Sequence, residues 1–154
     1  MKRVKNYIFP AILIFGIAIF AVSGRTSAVG ADYQYSGKPE IVAATFSSAW
    51  CSSCKILKPR LAAVIPDFVD QPVKFVEFDF TFGQSKDIEE QANAEGVGEI
   101  YPQFKGATGF TLLIDRDTGE IVDSLTINHS KKAMRAAIAQ AVAIAERNVT
   151  VDEP

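Results

Sequence analysis

The chain of 154 residues contains only two cysteines, one histidine and one tryptophan. Two cysteines exclude a small scaffold held together by several disulfides. Two thiols and one histidine also fall short of the four ligands that a structural zinc ion takes, so a metal site within one chain is disfavoured unless a second copy completes it. The length excludes a large multidomain protein and suits one ordinary domain with a real hydrophobic core.

The chain also lacks an excess of charge of either sign, since its net charge is −2. Residues 1–31 contain four basic side chains and no acidic one, and the remaining 12 basic and 18 acidic side chains give residues 32–154 a net charge of −6. An acidic domain has no electrostatic reason to bind a phosphate backbone. Nucleic-acid binding is therefore not expected.

One long apolar run is present, and it lies at the N-terminus. Residues 7–22 are uncharged and follow a basic start, which is typical of a segment that directs a chain to a membrane. Residues 1–31 are interpreted either as a cleaved signal peptide or as an uncleaved signal anchor, because the run is longer than most cleaved signals and slightly shorter than the roughly twenty residues that span a bilayer. Both interpretations place the domain outside the cytoplasm, on the periplasmic side in a bacterium, either secreted or anchored to the inner membrane.

The rest of the chain is predicted to form one domain over residues 40–147, between a polar linker at 32–39 and a polar tail at 148–154. Hydrophobic periodicity predicts strands and helices in the order β-α-β-α-β-β-α. The predicted ranges are 41–47, 54–69, 73–80, 84–95, 110–115, 120–125 and 131 to about 146. This order indicates an α/β fold with a mixed central sheet and helices on both faces.

The two cysteines are Cys51 and Cys54, which follow the first predicted strand and begin the first helix. Unpaired N–H groups and the helix dipole favour a thiolate there, so the pKa of Cys51 is expected to be lowered. Cys51 would attack a partner disulfide, and Cys54, one turn later and less exposed, would resolve the mixed disulfide. Trp50 is expected to pack beside the sulfurs and shield them from water.

Three alternatives to redox chemistry exist for this pair. A structural disulfide would close a loop of only four residues, which constrains the unfolded chain little. A metal would need ligands that the chain does not offer. Two unreactive buried cysteines at this spacing, at the start of a helix, would be a coincidence. Redox use is therefore the favoured interpretation.

Residues 41–68, IVAATFSSAWCSSCKILKPRLAAVIPDF, resemble the thioredoxin family in its first core strand, its Trp-Cys-x-x-Cys motif and its long helix with a proline, here Pro59. The resemblance continues through KFVEFDF, TLLIDRDTGEIV and the last helix, and covers about residues 40–146. It implies a thioredoxin fold and thiol–disulfide exchange with protein thiols and disulfides. It also implies a redox partner protein and no organic cofactor, because the Cys51–Cys54 pair carries the electrons itself.

The chain departs from the family pattern close to the cysteines. Ser52 and Ser53 replace the usual Gly-Pro, and their hydroxyls can donate to a thiolate and change the redox potential. Thr45 stands where the family often has a buried Asp that relays a proton, and Glu77 stands where it commonly has Lys. Our hypothesis is that Glu77 relays the proton with a raised pKa. The alternative is that Glu77 is a solvated or structurally paired strand residue.

A second departure concerns the proline that the family places opposite the dithiol with a cis peptide bond. By the register of the last hairpin, that position is Phe110, preceded by Gly109, and the nearest proline is Pro102. Either the segment around Pro102 folds back to the site, or residues 108–110 form the facing wall. The hairpin register favours the second, with a trans bond before Phe110. Trp50, Gly109 and Phe110 would then line the groove for a partner chain.

These observations predict a thioredoxin-like protein-disulfide oxidoreductase outside the cytoplasm. Reductant, oxidant and isomerase all use such a dithiol, and the redox potential decides between them. The alternative is a thioredoxin-fold binding module with little turnover that holds a metal or a partner protein. His129, at the start of the last helix, is expected to have a surface or capping role.

Overall fold

The structure, a computed structural model, describes residues 40–83 and 85–151. The predicted signal segment, the linker and the last three residues of the predicted tail lie outside the described residues. The four strands are β1 (Ile41–Ser47), β2 (Val73–Asp79), β3 (Phe110–Asp115) and β4 (Ile121–Leu125). The four helices are α1 (Ser52–Ala62), α2 (Ser85–Ala94), α3 (Tyr101–Phe104) and α4 (Lys131–Val151), and a 3₁₀ turn covers Ile65–Phe68.

The strands form one mixed sheet in the order β2-β1-β3-β4. β1 runs parallel to β2 and antiparallel to β3, and β4 closes the sheet as a hairpin with β3. All seven residues of β1 are buried, because helices cover both faces of the sheet at its centre. The predicted mixed α/β architecture is confirmed.

Alternate residues of β1 point into two hydrophobic cores. Ile41 and Ala43 pack toward α1 and α4, where Leu57 and Ile138 lie in the same cluster. The other core lies toward α2 and α3, and it contains Val42, Ala44, Phe46, Phe78, Ile88, Tyr101 and Leu112. The period of two along the strand therefore sends each side chain to one of two layers. The carboxyl end of β1 leads directly to the cysteines.

The first helix is shorter than the periodicity predicts. α1 ends at Ala62, and the apolar residues Ile65 and Phe68 belong to the separate 3₁₀ turn. Pro66 explains the break, because a proline lacks an N–H and disfavours helical backbone at the residue before it. The prediction of one helix over 54–69 is wrong in this respect.

The last helix is longer than predicted and includes the start of the expected polar tail. α4 runs to Val151 instead of ending near residue 146. The side chain of Asn148 donates a hydrogen bond of 3.0 Å to Oδ2 of Asp115, which ties this end of the helix to the β3–β4 turn. Oδ1 of the same buried carboxylate accepts the N–H groups of Asp117 and Thr118. Asp115 therefore organises both the turn and the helix end.

None of the helices within residues 40–83 and 85–151 has the length and the apolar character needed to cross a bilayer.

Candidate active site

Cys51 and Cys54 form a disulfide at the beginning of α1, with their Cα atoms 5.3 Å apart. Cys51 occupies the N-cap position with extended backbone, and Cys54 lies in the first helical turn. The short loop between β1 and α1 delivers both residues to the end of the sheet. The spacing of three thus lets the two sulfurs meet across one turn, as the motif predicts.

The two sulfurs have different environments. Cys51 is partly exposed, and its Sγ accepts a hydrogen bond of 3.1 Å from the backbone N–H of Cys54. Cys54 is only 2% exposed, and its Sγ lies 3.9 Å from the carbonyl oxygen of Phe46. Cys51 can be reached from solvent, and after reduction an amide donor and the positive end of the helix dipole would stabilise its thiolate. Cys54 is accessible mainly to Cys51.

Trp50 lies mostly in water beside the cysteine pair. It is 75% exposed, and its ring stands edge-on to Phe82 with the ring centroids 6.5 Å apart. Its expected role in shielding the sulfurs stays a prediction. Trp50 borders the exposed side of the cysteine pair, next to an aromatic side chain that the sequence analysis did not single out.

The wall opposite Cys51 is built from the backbone of Gly109. A Cβ atom at this position would lie 3.4 Å from Sγ of Cys51 and 3.0 Å from Cβ of Ser53. Gly109 has a φ of +102°, which favours glycine, and its N–H donates to the carbonyl of Phe46. Pro102 lies instead in the first turn of α3, and no peptide bond of the described residues is cis.

Phe110 follows this wall, but its ring packs away from the expected groove. The ring stacks on Phe46 with centroids 5.0 Å apart and lies 5.7 Å from Phe104. These contacts belong to the core beneath α2 and α3. The Phe110 ring thus contacts the aromatic cluster, and a place for Phe110 in the groove stays a prediction.

The polar residues behind the cysteines are paired with one another. Thr45 shares a hydrogen bond of 2.8 Å with Thr111, and both side chains are buried. Glu77 lies opposite Thr45 on β2, with its side chain 8% exposed. Its carboxylate accepts a hydrogen bond of 2.5 Å from Ser47 and forms an ion pair with Lys58. Glu77 is thus a sealed and paired carboxylate, and a role in proton transfer stays a hypothesis.

An open cleft of about 420 Å³ lies beside Cys54. Its lining includes Cys54, Lys55 and Lys58 from α1, together with residues of the loops that follow β1 and β2. Lys58 both lines this cleft and contacts Glu77. A line of polar groups therefore leads from the water-accessible cleft toward the carboxylate. The sequence analysis missed Lys58, although its position four residues after Cys54 places both on one face of the helix.

The remaining candidate residues are Ser52, Ser53 and His129. Ser52 is exposed and Ser53 is half-buried, both in the first turn of α1. Nδ1 of His129 accepts the N–H of Thr126, 3.1 Å away, before α4 begins. Within the described residues, no group of three or more His, Cys, Asp or Glu side chains is arranged to hold a metal ion.

Comparison with known proteins gives one family. The model of the thioredoxin family matches residues 32–126. A search of curated protein sequences finds no match.

Several solved structures match the chain at low sequence identity. A thiol:disulfide interchange protein of the thioredoxin family from Chlorobium tepidum TLS is 18% identical, with 68% of this chain and 81% of that chain covered and a TM-score of 0.47. A mutant thioredoxin from Halobacterium salinarum NRC-1 is 20% identical, with 68% and 76% covered and a TM-score of 0.41. StoA from Bacillus subtilis is 17% identical, with 66% and 84% covered and a TM-score of 0.45.

The family model spans more than half of the chain, and the matched region contains the cysteine pair, the parallel β1–β2 pair and the whole closing hairpin. The chain belongs to the thioredoxin family.

Proposed function

We propose that this protein is a thiol–disulfide oxidoreductase that exchanges disulfides with protein partners through Cys51 and Cys54. The asymmetry of the pair carries the proposal. Cys51 is partly exposed and accepts a backbone N–H at the start of α1, whereas Cys54 is 2% exposed one turn later. One sulfur is thus placed to attack a partner and the other to complete the exchange.

In the reducing direction, the thiolate of Cys51 attacks one sulfur of a partner disulfide. A Cys51–partner disulfide forms, and the other partner sulfur leaves as a thiolate and takes up a proton. Cys54 then gives up its proton and attacks Sγ of Cys51, so the second partner sulfur leaves. Two electrons pass from the dithiol to the partner disulfide. In the oxidising direction, a partner thiolate attacks Cys51 of the disulfide seen in the structure, and the same steps run backwards.

This exchange uses no organic cofactor, because the reduced Cys51–Cys54 dithiol carries both electrons and the disulfide takes them up again. A second redox protein would return the cysteine pair to its starting state after each turnover. The two serines between the cysteines would set the potential through hydrogen bonds to the Cys51 thiolate. We further propose that the domain acts outside the cytoplasm, since the basic start and the apolar run at residues 7–22 are typical of an export signal.

The experiment is the reduction of insulin disulfides by the full chain in the presence of dithiothreitol. We expect the wild type to accelerate the reaction and the Cys51→Ser variant to lose about two orders of magnitude or more of the rate, because the attacking sulfur is gone. After reduction and removal of dithiothreitol, the Cys54→Ser variant should accumulate a covalent adduct with the partner, visible by mass spectrometry. Ile121→Ser, an exposed change on β4, is the matched control.

Equal rates for the wild type and Cys51→Ser, with no adduct in Cys54→Ser, would contradict the proposal and favour a binding module. A redox titration of the pair then assigns the direction of exchange. A potential near that of glutathione or above favours oxidation of partners, and one far below favours reduction.

A further inference from the structure

Phe82 and Trp50 are the two most exposed large apolar side chains of the described residues. Phe82 is 85% exposed and Trp50 is 75% exposed. Their rings stand at 85° to each other with centroids 6.5 Å apart, in the edge-to-face arrangement that aromatic pairs prefer. Trp50 directly precedes Cys51, so this aromatic pair borders the sulfur that a partner must reach.

Hydrogen bonds join the two loops that carry these aromatic side chains. Oδ1 of Asp79 accepts the backbone N–H of Thr81 at 2.8 Å and the Thr81 hydroxyl at 2.5 Å. Oγ1 of Thr81 in turn accepts the N–H of Ala49 at 2.7 Å, which joins the loop after β2 to the loop that carries Trp50. A Cβ at Gly83 would lie 2.7 Å from the Asp79 carbonyl oxygen, so the chain turns tightly after Phe82.

Neither ring contributes much to the hydrophobic core, since both stay mostly in water. Covering exposed aromatic surface is favourable, and such surface beside a functional group is typical of an interaction site. The chain of a partner must pass next to Cys51 while its cysteine is joined to this sulfur. The aromatic pair is therefore continuous with the place where the partner is held.

We propose that Phe82 and Trp50 form an aromatic docking edge that selects partner proteins whose reacting cysteine is flanked by an aromatic or other large apolar side chain. This inference rests on the proposed disulfide exchange. An apolar side chain fits the edge because the two rings present mostly exposed apolar surface, which another apolar or aromatic group covers favourably. Phe82 is the specificity-determining residue of this edge, and Trp50 is its second ring.

The test compares two peptides that differ only at the residue beside their single cysteine, which is Phe in one and Gly in the other, each carried as a disulfide with a small thiol. For the reduced wild type we expect the Phe peptide to react about tenfold faster at low concentration. In Phe82→Ser this ratio should fall to within about twofold. Phe82→Leu, which retains an apolar side chain, should preserve most of the ratio.

The control is Ile121→Ser, which removes another exposed apolar side chain at the far end of the sheet and should keep the full ratio. A wild type that reacts equally fast with both peptides would overturn the docking edge and leave disulfide exchange standing. A wild type that reacts with neither peptide would overturn the exchange itself. The wild type could also self-associate, lose this association in Phe82→Ser and react equally fast with both peptides. That result would assign the ring pair to a dimer interface and would also overturn the inference.

Discussion

Glu77 carries a carboxylate that is nearly sealed from water and is held by polar partners. Its side chain is 8% exposed, Ser47 donates a hydrogen bond to it, and Lys58 pairs with it. Lys58 also lines the cleft beside Cys54. A proton released by Cys54 during resolution therefore has a polar route toward this carboxylate. The same contacts would equally serve a residue that only stabilises the β1–β2 region.

A substitution of Glu77 by glutamine separates these two roles. If Glu77 relays the proton, the Glu77→Gln variant should reduce disulfides about tenfold more slowly near neutral pH, because general-base assistance is lost. The pH dependence of its rate should change as well, because the variant lacks the carboxylate that would accept the proton. The measurement is the rate of insulin reduction between about pH 5 and 9.

Ser47→Ala is the matched control, because it removes a hydrogen bond to the carboxylate but leaves the carboxylate in place. This variant should keep most of the wild-type rate near neutral pH, because the carboxylate is still present to accept the proton. An unchanged profile in Glu77→Gln would show that Glu77 is a structurally paired strand residue. The Glu77→Gln substitution would then change only the free energy of unfolding.

At the scale of elements, the active site depends on how closely the start of α1 approaches the segment before β3. Gly109 makes this approach possible, since a side chain there would press on Ser53 and on the Cys51 sulfur. Its N–H also donates to the Phe46 carbonyl, which joins the segment to the end of β1. Gly109 directly precedes Phe110, the position that by the hairpin register corresponds to the family's proline, and the backbone here is trans.

Alanine at position 109 should therefore be costly in two ways. The positive φ of +102° strains a residue with a Cβ, and the Cβ would lie 3.0 Å from that of Ser53. We expect Gly109→Ala to lower the free energy of unfolding by about 2–4 kcal/mol and to slow disulfide exchange. Denaturant unfolding monitored by fluorescence measures the first effect.

Gly106→Ala provides the control for backbone strain. Gly106 also has a positive φ, +81°, but a Cβ there would meet nothing within 4 Å. This variant should cost only about 1 kcal/mol and leave exchange intact. An equal loss of unfolding free energy in both variants would mean that the close contact between position 109 and α1 adds nothing to the cost of the substitution.

At the scale of the whole molecule, the sheet separates two cores of different composition. The core beneath α2 and α3 is rich in aromatic rings, and Tyr101 lies within it, parallel to Phe80 with centroids 6.4 Å apart. Burial of the phenol, and then the negative charge of Glu89, raise the pKa of Tyr101 above its usual 10.0. The folded protein therefore holds the Tyr101 proton more tightly than the unfolded chain does.

This difference predicts a loss of stability in strong base. Above about pH 10, Tyr101 ionises in the unfolded chain while it stays neutral in the folded protein, so the unfolded state binds fewer protons. The free energy of unfolding should fall with rising pH by up to about 1.4 kcal/mol per pH unit in this window. Below about pH 9, Tyr101 should contribute no pH dependence.

Tyr101→Phe removes the titrating hydroxyl and keeps the ring. Both proteins are unfolded with denaturant at pH 8 and at pH 10.5. Between these two pH values, the free energy of unfolding should fall less for Tyr101→Phe than for the wild type. The other tyrosines are present in both proteins, so the difference isolates Tyr101. An equal fall in the free energy of unfolding for both proteins would contradict the raised pKa of Tyr101.

Much of this protein follows from local sequence, because the features concerned depend on residues close together in the chain. Hydrophobic periodicity determines the strands and their order, and the spacing of Cys51 and Cys54 determines that their sulfurs meet across one helical turn. The turn at 116–119 determines the register of the last hairpin. The family and the mixed fold could be inferred from these patterns, and both were confirmed.

The surroundings of the dithiol were decided only by the tertiary structure. Trp50 stays mostly exposed and meets Phe82 edge-on, although Phe82 comes from a loop more than thirty residues away in the sequence. Glu77 is paired because α1 places Lys58 over β2, and Phe110 turns its ring inward because Phe46 and Phe104 form a cluster there. Each of these outcomes is a contact between elements that packing brings together. A local pattern specifies which side chains face a layer, but only the assembled layers determine which partner each side chain meets.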